Sequence, residues 1–169
     1  KADDPSLGGH PDRGGPIEAS TGSLGHGLGM AVGMAYAEYL KGTENRIYCV
    51  MSDGELQEGS TWEAARMAAQ LKLDNLIVFV DANGYGGMEK IDVQHGLFFT
   101  GGWQSIQVAT GHDAEGIRYA HQLRDGARPL VITAHTIKGY GAAFMIDKPI
   151  WHYKSPNAEE LAIAVAENS

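Results

Sequence analysis

The chain has 169 residues, of which 43% are hydrophobic and 20% are charged, and its net charge is −8. This length and composition predict one soluble globular domain whose core needs no disulfide bonds. The excess of acidic residues argues against nucleic acids or anionic membranes as partners, and no apolar run is long enough to cross a bilayer.

Helical and strand patterns alternate along the chain. In chain order they predict a helix over 22–40, a strand over 46–52, a helix over 62–73, strands over 76–81 and 105–109, a helix over 113–123, a strand over 130–137 and a helix over 158–167. Ser60 and Glu63 fit a capping box at the start of the second helix, and Asp113 can cap the third. Residues 83–87 and 139–153 are expected to be loops.

The predicted strands are short and almost continuously apolar, which is typical of strands buried on both faces. Their alternation with helices predicts an α/β fold, with a mostly parallel sheet and helices on both of its faces. Cys49 lies in one of the apolar runs and is expected to be a buried, unreactive thiol. A single cysteine excludes an internal disulfide and is typical of a reducing compartment, so we expect a cytoplasmic protein. Because Lys1 is not an initiator methionine, we also expect that upstream residues are missing from this sequence.

Polar residues follow the strands at the edge where parallel sheets bind their ligands. Asp53 follows one strand and Asn83 follows the next, at a spacing of about 30 residues that fits one strand–helix–strand unit. A carboxylate and an amide oxygen make a good partial shell for Mg²⁺, whose octahedron is completed by phosphate oxygens and water. Taken singly, Asp53 is better explained as a turn cap, and Asn83-Gly84 as an ordinary loop. The pair at this spacing favours a metal site, and Gly54 would let a phosphate approach the backbone.

The motifs around these residues resemble those of transketolases, which are thiamine diphosphate enzymes. Ser52-Asp53-Gly54 and Asp81-Ala82-Asn83 are similar to the metal-binding signature of such enzymes. Further segments that resemble transketolases, in the family's order, are 9–12 (GHPD), 18–27 (EASTGSLGHG), 53–59 (DGELQEG), 72–77 (KLDNLI) and 134–139 (AHTIKG). The resemblance implies a thiamine diphosphate-binding fold, in which residues 1–169 form a single diphosphate-binding domain. The pyrimidine-binding domain of the family would then be absent from this sequence.

The resemblance also implies roles for individual residues. The metal, which is Mg²⁺ or alternatively Ca²⁺ or Mn²⁺, would be bound by Asp53, Asn83 and the backbone carbonyl of Tyr85. The residues expected along the thiamine diphosphate are Gly22, Leu24, His26, Gly54, Glu55, Asn83 and His135. His10 and His152 match active-site histidines that handle protons of the sugar hydroxyls, for which imidazole is suited near neutral pH. Glu58 matches a glutamate that the family uses at the interface between its two halves.

Three features depart from the family's pattern. Ser52 replaces the usual first glycine of the metal-binding signature, and His26 stands where glutamine is more common. The stretch between Tyr85 and Trp103 is shorter than expected. The histidines with no predicted role beyond packing or contact with solvent are His95, His112 and His121.

The resemblance implies the diphosphate-binding half of a transketolase-like transferase, which moves a two-carbon ketol unit from a ketose or ketose phosphate to an aldehyde acceptor. It is expected to work only with a pyrimidine-binding C-terminal half, in a dimer of halves or a heterotetramer. A non-catalytic paralogue that binds a partner is the alternative, although Asp53 and Asn83 argue against it. Residues 55–59 argue against a deoxyxylulose phosphate synthase and a 2-oxoacid dehydrogenase component. A nicotinamide-binding domain is excluded, since the glycines of residues 25–29 lack the spacing of that fingerprint.

Overall fold

Residues 10–92 and 101–169 are described by a computed structural model of the chain. The elements, in chain order, are helix α1 (His26–Lys41), strand β1 (Ile47–Ser52), helix α2 (Gly59–Gln70), strands β2 (Leu76–Ala82), β3 (Tyr85–Gly86), β4 (Glu89–Lys90) and β5 (Gln104–Val108), helix α3 (Ala114–Gln122), strand β6 (Leu130–His135) and helix α4 (Ala158–Glu167). Short 3₁₀ helices cover Asp53–Gln57 and Pro149–His152. Gly9 and His95, which the sequence analysis discussed, lie outside the described residues.

The centre of the fold is a four-stranded sheet with the strand order β1-β2-β6-β5, in which every neighbouring pair is parallel. The register places Ser52 of β1 beside Asp81 of β2, and Ala82 of β2 beside His135 of β6. The carboxyl ends of these three strands therefore meet along one edge. The predicted α/β fold with a mostly parallel sheet is confirmed.

Helices cover the sheet from both sides. Helices α1 and α2 pack on one face, where Leu28, Ala35 and Ala68 share a buried cluster with Val78 and other strand residues. Helix α3 packs on the opposite face, where the buried residues of the second cluster are Ile77, Val108, Ala120, Leu130 and Ile132. Strands β2 and β6 lie in the middle of the sheet and are covered on both faces, as predicted from their apolar runs.

Strand β1 departs from the expectation that it is buried on both faces. Its inward side chains Cys49 and Met51 are buried, but Tyr48 is 53% exposed and Val50 is 77% exposed. Strand β1 is one edge of the sheet and β5 is the other. Helix α3 packs near β5 and β6, so the outward side chains of β1 are left exposed. A continuously apolar run predicted the strand correctly, but it did not show which face is covered.

The starts of the helices show which capping signals the chain uses. The capping box predicted for Ser60 and Glu63 is wrong, because the Ser60 hydroxyl donates instead to the backbone carbonyl of Gly25, at 3.2 Å. Asp113 does cap α3, and its carboxylate accepts from the backbone N–H of Glu115 at 3.0 Å. The first helix begins at His26 and not at Gly22, since Gly25 before it has a left-handed φ of 78°.

The remaining expectations about the fold are met or refined. Helix α4 has the predicted bounds, while β6 ends at His135, two residues before the predicted end. The segment 83–87 is not only a loop, because it contributes β3 to a short antiparallel pair with β4.

Cys49 is buried, and burial together with the charge of Glu55 raises the pKa of its thiol to about 11. Within the described residues, no helix is long and apolar enough to cross a membrane.

Candidate functional site

The carboxylate of Asp53 joins the ends of β1 and β2. Asp53 is the residue directly after β1 and is only 1% exposed. Its Oδ2 accepts a hydrogen bond from the backbone N–H of Gly84, in the loop after β2, at 2.6 Å. The sequence predicted that Asp53 and the Asn83-Gly84 loop converge at this edge, and the structure brings them into direct contact.

The backbone of Gly54 and Tyr85 completes this corner. A Cβ atom placed on Gly54 would lie 3.7 Å from the carbonyl oxygen of Tyr85 and 3.4 Å from the Cα of Gly86. The side-chain oxygen of Asn83 accepts from the backbone N–H of Tyr85 at 3.0 Å, so the amide is turned into the same loop. Asp53 thus contacts the loop after β2, and Gly54 lies beside the carbonyl of Tyr85. That Asp53, Asn83 and this carbonyl bind one metal ion is a prediction.

These oxygens are the type of donor that a hard cation prefers. Within the described residues, no group of three or more His, Cys, Asp or Glu side chains is arranged to hold a metal ion. The predicted ligand set at Asp53 contains one carboxylate and two neutral oxygens. Such a set suits Mg²⁺, which keeps several of its positions for water and phosphate oxygens.

Two lysines lie beside the ring of Tyr85, and the sequence reasoning assigned neither of them a role. The ammonium groups of Lys90 and Lys138 each lie 5.7 Å from the centroid of the Tyr85 ring. In a chain with a net charge of −8, they supply a local field that favours an anionic ligand. The signal for Lys138 was present in the segment 134–139, whereas nothing in the sequence singled out Lys90.

Tyr85 also connects the corner to His152. Its hydroxyl donates to the backbone carbonyl of Asp147 at 3.1 Å, and the N–H of Asp147 donates to the carbonyl of Lys138 at 3.0 Å. The Nζ of Lys138 lies 3.3 Å from Nδ1 of His152. Partial burial of the His152 ring, together with the charge of Lys138, lowers the pKa of this imidazole. At neutral pH the ring is therefore held in its proton-accepting form.

Glu58 lies in a second group of contacts, at the junction between the 3₁₀ helix and α2. Its side chain packs against Gly25, because a Cβ atom on Gly25 would be 2.5 Å from the Cβ of Glu58. The hydrogen bond from Ser60 to the Gly25 carbonyl holds the same junction. The start of α1, which carries His26, is thus fixed to the start of α2.

Glu55 closes a capping box that the sequence analysis did not identify. Its carboxylate accepts from the backbone N–H of Ser52 at 3.0 Å, and the Ser52 side chain caps the N–H of Glu55 in return. The serine that replaces the family's glycine therefore stabilises the turn that presents Asp53. The Ser-x-x-Glu pattern of a capping box was visible at 52–55.

The other predicted residues do not form one cluster with Asp53 within the described residues. Leu24 is 55% exposed, and its carbonyl oxygen lies 3.3 Å from Nδ1 of His26. Gly22 and His10 are exposed, and within the described residues no hydrogen bond joins the His10 ring to the corner at Asp53. His135 ends β6, and its carbonyl accepts from the N–H of Gly111 at 2.6 Å. The binding and catalytic roles of these residues remain predictions.

Comparison with protein families gives the same assignment as the sequence motifs. The profile of the family described as "Transketolase, thiamine diphosphate binding domain" matches residues 4–165, which is nearly the whole chain. The chain belongs to the transketolase family. The resemblance stated from the motifs is confirmed, and this transketolase-family chain is a thiamine diphosphate-binding domain.

Relatives of two kinds resemble this transketolase-family chain. It is 37% identical to one subunit of the apulose-4-phosphate transketolase of Actinobacillus succinogenes, over 97% of this chain and 62% of that protein. It is 39% identical to the human transketolase, over 88% of this chain but only 25% of that protein. The chain therefore spans about three fifths of one relative and a quarter of the other.

Solved structures agree with the fold. The transketolase of Campylobacter jejuni superposes with a TM-score of 0.78 at 29% identity, covering 89% of this chain and 26% of that one. The transketolase of Leishmania mexicana gives a TM-score of 0.67 at 25% identity, over 89% and 28% of the two chains. The site at the edge of the sheet thus lies in a fold that transketolases share.

Proposed function

We propose that this chain is the diphosphate-binding half of a transketolase-like enzyme, which moves a two-carbon ketol unit from a ketose or ketose phosphate to an aldehyde acceptor. The observation that supports the proposal is the contact of the buried Asp53 carboxylate with the loop of Asn83, Gly84 and Tyr85 after β2. Two relatives that are named for apulose 4-phosphate support a sugar phosphate as the donor or acceptor.

The residues of the corner fit a metal-bound diphosphate. Asp53 and Asn83 supply side-chain oxygens and Tyr85 supplies a carbonyl, which together hold Mg²⁺ or a similar divalent cation. Gly54 has no side chain to block the backbone, and Lys90 and Lys138 add positive charge nearby. Thiamine diphosphate, when bound, supplies a carbon nucleophile that also acts as an electron sink.

The chain's own part in the chemistry is to handle protons. His152, whose pKa is lowered by burial and by Lys138, is unprotonated at neutral pH and accepts a proton from a sugar hydroxyl. His10 is exposed, and we assign it the same role at the entrance of the site. Gly22, Leu24, His26 and His135 line the path of the cofactor in this proposal.

A partner is part of the proposal. The same two relatives are each named as one subunit of a transketolase, which supports a separate pyrimidine-binding half, in a dimer of halves or a heterotetramer. In this arrangement Glu58 lies at the interface between the two halves, beside the start of α1. We place the enzyme in the cytoplasm, where a buried thiol such as Cys49 stays reduced.

The metal site is tested by one substitution and its matched control. Asp53→Asn removes the charge but keeps an oxygen that can accept from Gly84, whereas Glu89→Gln removes an exposed charge from the neighbouring strand β4. In the assembled enzyme, calorimetry should show that Asp53→Asn weakens Mg²⁺-dependent binding of thiamine diphosphate by at least about tenfold. Glu89→Gln should bind as the parent does. Equal affinity in all three proteins would overturn the metal assignment.

The need for a partner is tested by reconstitution. The purified chain is assayed for ketol transfer alone, and again after adding a candidate pyrimidine-binding half. We expect turnover only in the mixture, with Asp53→Asn as the inactive control. Appreciable turnover by the chain alone would contradict the proposed division of the site.

A further inference from the structure

His112 makes two contacts that hold its ring in one orientation. Its Nε2 accepts a hydrogen bond from the backbone N–H of Ile137 at 2.9 Å. Its ring stacks on the ring of Tyr140, with 3.7 Å between centroids and 14° between planes. Because Nε2 accepts, the proton of the neutral imidazole must be on Nδ1. His112 comes just before α3, far along the chain from the segment that it contacts.

The segment bound by His112 leads directly to the candidate site. After β6, the carbonyl of His135 accepts from Gly111 at 2.6 Å, and the N–H of Thr136 donates to Ala82 at 3.1 Å. The next N–H, that of Ile137, donates a hydrogen bond to Nε2 of His112. Three consecutive residues are thus anchored, two by backbone groups and the third by an imidazole.

Lys138 follows this anchor. Its ammonium lies 3.3 Å from Nδ1 of His152 and 5.7 Å from the centroid of the Tyr85 ring. Lys138 has a long and flexible side chain, so its reach to His152 depends on where its backbone is fixed. The hydrogen bond to Ile137 fixes the residue immediately before it.

We propose that His112 is a positioning residue of the site: its Nε2 holds the backbone at Ile137 and so directs Lys138 to His152. The structural part of this proposal stands on the contacts themselves, and its importance for catalysis rests on the proposed function. His112 acts through Lys138 and does not itself contact the corner at Asp53.

Two variants separate the acceptor from the ring. His112→Phe keeps a flat ring for stacking on Tyr140 but has no acceptor, whereas His112→Gln puts an amide oxygen near the position of Nε2. His121→Phe is the control, since His121 contacts Tyr48 on the open face of β1 and not the segment after β6. All three are made in the 169-residue chain.

The first readout is hydrogen exchange at the amide of Ile137. In His112→Phe this amide should exchange about two- to tenfold faster, as expected when one hydrogen bond is lost, and His112→Gln should restore the parent rate. His121→Phe should leave the rate unchanged. An unchanged rate in His112→Phe, or no recovery in His112→Gln, would overturn the proposal.

The second readout is the titration of His152, followed by NMR. The charge of Lys138 lowers the pKa of His152, so this pKa should rise if Lys138 moves away in His112→Phe. In His112→Gln the pKa of His152 should stay at the parent value. The same titration in both variants would refute the link from His112 to Lys138. In the parent chain, ¹⁵N NMR must also show Nε2 of His112 without a proton at neutral pH, a test that requires no substitution.

These measurements do not depend on turnover. If the assembled protein shows no ketol transfer but the NMR results are as expected, the proposed function is wrong and the positioning role is retained. If ketol transfer is observed but Ile137 is unaffected in His112→Phe, the positioning role is wrong and the proposed function is retained.

Discussion

The contact between Gly25 and Glu58 leads to a quantitative prediction for Gly25→Ala. Gly25 has a φ of 78°, and an alanine Cβ there would lie 2.5 Å from the Cβ of Glu58 and 2.8 Å from its Cγ. The left-handed backbone alone costs about 1–2 kcal/mol for a residue with a side chain. Displacing well-packed atoms adds about 1–3 kcal/mol. We therefore expect Gly25→Ala to lower the free energy of unfolding by about 2–5 kcal/mol.

Gly42 provides a matched control for the backbone contribution. It ends α1 with a φ of 68°, but a Cβ atom there would meet nothing within 4 Å. Gly42→Ala should therefore cost only the backbone strain, about 1–2 kcal/mol. The difference between the two variants measures the steric contact with Glu58.

The assay is urea unfolding of the chain at about 25 °C, with Gly25→Ala also placed in a Glu58→Gly background. Glu58→Gly removes the two nearest atoms that the new methyl group meets and leaves the Ser60 hydroxyl oxygen at 3.0 Å, so the cost of Gly25→Ala should fall towards that of Gly42→Ala. The reasoning would be refuted if Gly25→Ala cost no more than Gly42→Ala, or if its cost were the same in both backgrounds.

Three further predictions concern titrating groups elsewhere in the chain. Hydrogen bonds from Lys41, Thr43 and Asn45 lower the pKa of Glu38 from 4.5 to about 2, so its contribution to stability is present above pH 4.5 and is lost as pH falls towards 2. Glu38→Gln should flatten the thermal stability profile in that window, and an equal slope in both proteins would contradict the assignment. Cys49, with a pKa of about 11, should react with a thiol reagent at about pH 8 far more slowly in the folded chain than in urea, and equal rates would show that the thiol is accessible. His10→Ala and His152→Ala should each lower turnover of the assembled enzyme by ~100- to 10,000-fold without a comparable loss of cofactor affinity. His121→Ala should leave both turnover and affinity unchanged. Full activity of a variant that combines His10→Ala with His152→Ala would exclude their role.

The order of elements could be predicted because strands and helices leave local patterns. The buried run of β2 and the capping aspartate of α3 determine their elements through neighbouring residues. The convergence of Asp53 with the loop after β2 could also be predicted, since parallel strands that are neighbours end at the same edge.

Other features depend on contacts between distant segments and left no signal. The apolar run at Tyr48 and Val50 has the same composition whether or not a helix covers that face. A Ser-x-x-Glu pattern occurs at both 52–55 and 60–63, but only the first forms a capping box, because the hydroxyl of Ser60 is drawn to the carbonyl of Gly25. The approach of Lys138 to His152 requires a folded loop whose path no local pattern specifies.

Tyr85 serves the site with two separate parts of the same residue. The proposed metal ligand is its main-chain carbonyl, while its side chain holds the Asp147 segment through a hydroxyl. No point substitution removes a carbonyl, so alanine scanning would leave this ligand in place and would report only the loss of the phenol. Substitutions of the Tyr85 side chain would then show only its effect on the stability of the loop. They would not show the part of its carbonyl in binding the ion. Replacing the peptide bond with an ester between Tyr85 and Gly86, which weakens the carbonyl as a donor, is the chemical change that reaches this ligand.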